Sequence, residues 1–172
     1  MWHGNIWTVY IQETAESESL AAHFIRSMEI VMKIMVSACL LGQKCKYNGG
    51  DNFNRKVAEF IEGHEVIPVC PEVEGGLPIP RYPCEIVNGI VMNDRGESRD
   101  TEFRTGADIC LQRALQEQVN LVILQPRSPS CGIKQIYDGS FSGKLVEGKG
   151  VFARLLAENG IRTVDPDDLE HI

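Results

Sequence analysis

Apolar residues in this chain gather into short β-branched runs, separated by stretches whose apolar positions recur at helical spacing. I-V-M-K-I-M-V-S-A, from Ile30 to Ala38, predicts a first strand over about Lys33–Ala38. Val66–Val69, Leu121–Leu124 and Ile161–Val164 predict three more. Their continuous apolar character, without strict alternation, suits strands of a parallel sheet covered on both faces. Between them, Asn54–Glu62 sets Val57, Ala58, Phe60 and Ile61 on one helical face and stops at Gly63. Thr101–Gln118 aligns Ala107, Cys110, Leu111, Ala114 and Leu115, with Thr101 as the expected cap. Gly150–Asn159 packs through Val151, Phe152, Leu155 and Leu156 and ends at Gly160. Strands alternating with helices make βαβ units, hence an α/β fold with an open, mostly parallel sheet. Asn88-Gly89, between E-I-V and I-V-M-N, marks a small β-hairpin over Glu85–Asn93, placed to support or cover a site. The glycine-rich stretch Ile136–Gly150 reads as a loop with a further hairpin, and the tail D-P-D-D-L-E reads as solvated.

The first 31 residues look unlike the rest. Trp2, His3, Trp7 and Tyr10 are scattered, and Ser17–Met28 predicts only a short helix. Residues 1–31 are therefore read as an N-terminal extension, with Met28 or Met32 as an alternative start, and residues 32–172 as a single domain. No run of apolar residues is long enough to span a membrane. A net charge of -7 argues against holding nucleic acid mainly through phosphate neutralisation. Six cysteines without a secretory signal fit a reducing, cytoplasmic setting, in which thiols serve metals or catalysis more often than disulfides. The four histidines follow no ligand spacing.

The cysteines fall where the strands end. Cys39 follows the first strand, Cys70 the second, and Cys131 lies in the loop Q-P-R-S-P-S-C-G after the third. Ligands of an open parallel sheet bind beyond the carboxyl ends of its strands, so these three thiols are expected in one crevice although they are 31 and 61 residues apart. Pro71, Pro78, Pro80, Gly75 and Gly76 make the segment after Cys70 a shaped loop, with no regular element expected in it. Cys110 lies on the apolar face of its helix and belongs to the core. The absence of a C-x-x-C pair disfavours a thioredoxin-like site and a closed four-thiolate metal site. Three thiolates from three strand ends suit a cubane 4Fe-4S cluster with one open iron, ranked on spacing only slightly above zinc.

Several motifs sharpen this. S-A-C-L-L-G (Ser37–Gly42) with K-Y-N-G, V-C-P-E-V-E-G-G-L-P-I-P-R (Val69–Arg81), D-T-E-F-R-T-G-A (Asp100–Ala107), S-P-S-C-G (Ser128–Gly132) and Y-D-G-S-F (Tyr137–Phe141) resemble the thiouracil desulfidase family, over about Met32–Val164. The resemblance implies a Rossmann-like three-layer domain and a 4Fe-4S cluster held by Cys39, Cys70 and Cys131. It implies as substrate a thiolated pyrimidine, as free base, nucleoside or nucleotide, whose sulfur is taken up by the fourth iron. Cys45 is read as a nearby thiol outside the ligand set. The chain departs from the family's pattern at Gln125 and Pro126, where a Lys-Glu-like pair is usual, which removes support for a basic substrate contact there.

The reaction expected is hydrolytic: water activated by a carboxylate attacks the ring carbon and sulfide leaves. Glu72 is the leading general base, with Glu74 as substitute. Ser128 is its catalytic companion; Ser37, Ser130, Arg81 and Arg127 are candidate substrate contacts, and Tyr137 and Asp138 candidates to close the pocket. Two rivals stay open: a metal- or cluster-containing binding module without turnover, and a thiol redox or sulfur-carrier protein using Cys39 with Cys45. Neither a membrane nor stable nucleic-acid binding is expected.

Overall fold

The computed structural model describes residues 31–172, and the stretch Met32–Ile172 is one compact unit. The short helix expected at Ser17–Met28 lies outside the described residues. Strand β1 (Lys33–Ser37) leads into a 3-10 turn over Ala38–Leu41, helix α1 (Arg55–Phe60) and strand β2 (Glu65–Val69). A helical turn, α2 (Pro71–Glu74), and the hairpin β3 (Cys84–Val87) and β4 (Ile90–Asn93) follow. Helix α3 (Asp100–Gln116), strand β5 (Leu121–Ile123), the hairpin β6 (Gln135–Tyr137) and β7 (Leu145–Glu147), helix α4 (Val151–Glu158) and strand β8 (Thr163–Val164) complete the order.

The four long-range strands form one parallel sheet in the order β2-β1-β5-β8. Chain order reverses between β1 and β5, so the carboxyl ends of these strands open the crevice in which ligands of such sheets bind. Period-two alternation splits the strand residues between two cores. Met35, Ile67, Val69, Val122 and Leu124 meet α3 and α4 through Ala107, Cys110, Leu111, Phe152 and Leu156. Ile34, Val36, Leu121 and Ile123 face the other way, onto Leu40, Val57 and Leu169. This is the three-layer α/β architecture expected, with Cys110 fully inside the core. Both hairpins form, and Asn88 (φ 50°) with Gly89 (φ 83°) makes the primed turn that Asn-Gly favours.

Three local expectations are corrected. The segment after Cys70 is a helical turn and not a plain loop: Pro71 sits at its first position, where its missing N–H is harmless, and the Val73 and Glu74 amides bond back to the Cys70 carbonyl. Thr101 does not cap α3. The helix starts one residue earlier, and the Asp100 carboxylate instead accepts from the Val91 amide (3.1 Å) and from Arg104 Nε (2.6 Å), tying hairpin to helix. Finally, the acidic tail is not solvated throughout. Pro166–His171 forms a 3-10 helix capped by the Asp165 side chain, with Pro166 and Leu169 buried against the sheet.

Candidate active site

β1 delivers Ser37 and Cys39 to the crevice. The chain winds through its 3-10 turn and closes at Gly42 (φ 84°), a left-handed conformation that suits glycine. β2 delivers Cys70, in extended conformation at the start of α2, and with it Glu72 in the first turn. The loop after β5 delivers Arg127, Ser128 and Cys131. That loop is fastened at both ends: the Ser128 hydroxyl accepts from the Ser130 amide (3.0 Å) and the Cys131 amide (3.1 Å). The amides opening α4, of Val151 and Phe152, bond to the Pro129 and Ser130 carbonyls. A side chain at Gly150 would run into the Ser130 carbonyl, so α4 approaches this loop as closely as backbones permit.

These segments enclose one cavity of about 590 Å³, lined among others by Ser37, Cys39, Cys45, Cys70, Glu72, Arg81, Cys84, Arg127, Ser128 and Cys131. The three thiols expected to converge do so. Cys45 joins them: with Ala38, Cys39 and Cys70 it forms a small buried cluster. Hydrogen bonding to Cys39 is the leading cause that pushes the Cys45 thiol up to about 11. The Cys70 thiol is raised by its hydrogen bond with Cys45 and then by burial. Burial pushes Cys131 up to about 12, against a hydrogen bond with Ser37 that works in the opposite direction. These three thiols keep their protons at neutral pH unless a soft cation displaces them.

Glu72 lies in the cavity wall, but not alone. Arg81 Nε (2.8 Å) and Nη2 (2.7 Å) both donate to its Oε2, in a pair whose side chains are only 16% and 6% exposed. Arg81 Nη2 also donates to the Cys45 carbonyl (2.9 Å) and Nη1 to the Pro78 carbonyl (3.3 Å). Arg81 therefore spends most of its donors on the protein. Glu74 is exposed and does not line the cavity. Ser37 Oγ accepts from the Gln125 amide (3.0 Å). Arg127 is exposed at the rim in a left-handed conformation (φ 63°). Ser130 is wholly buried behind the wall, does not line the cavity, and its hydroxyl has no hydrogen-bond partner among the described residues. Tyr137 lines the cavity; Asp138 does not, its carboxylate being engaged by Ser140 and Lys144.

Sequence reasoning missed Cys84, Glu85 and Phe141, all of which line the cavity. Phe141 closes the Y-D-G-S-F motif, so a signal was present; Cys84 and Glu85 carried none. Among the described residues, no three Cys, His, Asp or Glu side chains are grouped to grip a single metal ion. Zinc draws its ligands to about 2.3 Å from one centre, while a cubane cluster is held by cysteine thiolates around its corners. The orphaned Ser130 hydroxyl beside Cys131 is a donor of the kind that cluster sulfurs accept. The donor type, three cysteine thiols lining one crevice, fits an iron-sulfur cluster.

Fold and site together define a doubly wound α/β protein with a thiol- and carboxylate-lined crevice at its topological switch point. The chain belongs to the 2-thiouracil desulfurase family, whose model matches residues 34–168. It is 36% identical over 149 residues to the uncharacterized protein YbbK of Bacillus subtilis (strain 168), covering 81% of this chain and 99% of that protein. Among solved structures it is similar to the [4Fe-4S]-dependent thiouracil desulfidase TudS, at 36% identity and a TM-score of 0.77, over 81% of this chain and 93% of that one.

Proposed function

We propose that this protein is a non-redox desulfidase that hydrolyses the C–S bond of a thiolated pyrimidine, releasing sulfide and the oxo-pyrimidine. What carries the reading is a carboxylate, Glu72, in the same cavity wall as Cys39, Cys70 and Cys131. In this reading the three thiolates hold a [4Fe-4S] cluster. Such a cluster, bound by three ligands, offers a thiophilic Lewis acid to the substrate sulfur.

The remaining chemistry belongs to the chain. Glu72 takes a proton from a water that attacks the thiocarbonyl carbon, and the Arg81 guanidinium holds that carboxylate in one orientation. Ser128 Oγ already accepts two amide protons, so its own proton is free to go to a substrate ring heteroatom. Ser37 steadies the loop of Gln125 and the Cys131 sulfur. Ser130, behind the wall, serves the cluster side and not the substrate. Arg127 at the rim meets an anionic or carbonyl substituent, while Arg81 acts through Glu72.

The test is sulfide release from 2-thiouracil by the cluster-loaded chain, under anaerobic conditions without any electron donor or acceptor, in isotopically labelled water. The reading predicts stoichiometric sulfide and label in the uracil oxygen. Release that requires a reductant contradicts it. The Cys39–Cys45 contact supports a second reading, thiol exchange, which predicts instead that Cys45→Ala abolishes function.

A further inference from the structure

The loop between β6 and β7 is held in place with more than ordinary loop chemistry. Glu85, a buried carboxylate on β3, accepts through Oε2 from the Gly139 amide (2.9 Å) and from the Phe141 amide (3.0 Å). Two amides converging on one carboxylate oxygen make a nest that fixes the loop backbone. Gly139 (φ 88°) lies so close to β3 that a side chain there would meet the Ile86 carbonyl at 2.7 Å. Asp138 braces the same loop, accepting from the Ser140 amide (3.0 Å), while its own amide donates to the Lys144 carbonyl (3.0 Å).

What these contacts hold is Phe141. Its backbone is left-handed (φ 57°), a conformation rarely adopted by a bulky residue. The residue is 38% exposed, joins none of the core clusters among the described residues, and lines the cavity. Packing into the core does not explain its position, since the residue is partly open to the cavity and belongs to no core cluster among the described residues. A planar ligand explains it: every pyrimidine has a π face, and an aromatic side chain at a pocket mouth recognises that face without reading its substituents.

We infer that Phe141 is the stacking wall for the planar ring of the substrate, and that Glu85 is the positioning residue that holds it at the cavity mouth. The inference deepens the desulfidase reading and rests on it. It assigns ring recognition to a loop separate from the Glu72 and cysteine side of the cavity. Binding of the ring and cleavage of its C–S bond are then separable by mutation.

The experiment uses the cluster-loaded full chain and two readouts: calorimetric binding of uracil, which has no sulfur to lose, and the KM and kcat for sulfide release from 2-thiouracil. Phe141→Leu is expected to weaken uracil binding about tenfold. It raises the KM for 2-thiouracil similarly, with kcat within about twofold and iron content unchanged. Glu85→Ala reproduces that phenotype. Glu85→Gln restores near-native binding, because one side-chain carbonyl can accept from both amides. The double variant Glu85→Ala/Phe141→Leu binds no more weakly than Phe141→Leu alone. Native uracil binding in Phe141→Leu overturns the stacking role, and additive losses in the double variant overturn the positioning role of Glu85. A wild-type chain that binds uracil but releases no sulfide defeats the desulfidase reading while leaving Phe141 to be judged by binding; one that does neither defeats both.

Discussion

A carboxylate proposed to take a proton from water must point at one place, and for Glu72 the Arg81 guanidinium fixes the carboxylate's orientation. Two guanidinium nitrogens reach one carboxylate oxygen at 2.7 and 2.8 Å in a largely buried setting. Glu72→Gln is expected to lower kcat by roughly 10²- to 10⁴-fold while iron content stays native, as measured by sulfide release beside iron analysis. Arg81→Ala strands a buried carboxylate without its partner and costs about 3 kcal/mol, measured by denaturant unfolding. An Arg81→Ala protein as stable as the wild type contradicts that role. Little of this pair was legible in the sequence. Cys39, Cys70 and Cys131 were, because the apolar runs place the first two just past strand ends and the third in the loop after a strand, and sheet topology brings those ends together. Arg81 reads as a loop arginine until the chain folds back over the nine residues from Glu72. Cys45 was legible as a thiol near Cys39, but not its contact with Cys70, which depends on the turn that follows Gly42.

Among the elements, the short turn α2 governs the site because it carries Cys70 on one end and Glu72 inside it. It is packed on α3 backbone to backbone: a side chain at Gly106 would collide with the Pro71 carbonyl, and one at Gly75 with the Glu102 carbonyl. Gly106→Ala therefore forces the two elements apart and is expected to cost about 1–3 kcal/mol, with a lower melting temperature and a weaker hold on iron. The prolines and glycines that disguised α2 as a loop in the sequence are what allow that contact. At the start of α3, Asp100 bridges to β4 and to Arg104, and its hydrogen bond from Arg104 holds its carboxyl below the usual range. A carboxyl with a depressed folded value stabilises fully above its unfolded value and loses that contribution as pH falls through the folded one. The stability of Asp100→Asn and wild type should therefore converge in acid and differ by about 1 kcal/mol near neutrality. A difference that persists unchanged into acid contradicts the bridge. Thr101 misled as a cap because hairpin packing, absent from any local pattern, recruited its neighbour instead.

On the scale of the whole molecule, the sheet order β2-β1-β5-β8 gathers three distant cysteines beyond the carboxyl ends of its strands; that convergence, though not the strand order, was legible from four apolar runs and the helices between them. The seating of the acidic tail against the sheet was not, since Leu169 alone among charged residues carries no periodicity. No helix among the described residues is long and apolar enough to cross a membrane. The proposed function stands on Cys39, Cys70 and Cys131, and not Cys45, being the ligands of a cluster with an open iron. Anaerobic purification with iron and acid-labile sulfide analysis, on the wild type and on Cys→Ala variants at each of the four positions, tests it most directly. The account predicts about four irons and four sulfides per chain, lost from the Cys39, Cys70 and Cys131 variants and kept in Cys45→Ala. Stoichiometric zinc, or cluster loss in Cys45→Ala with retention in one of the other three, would contradict it.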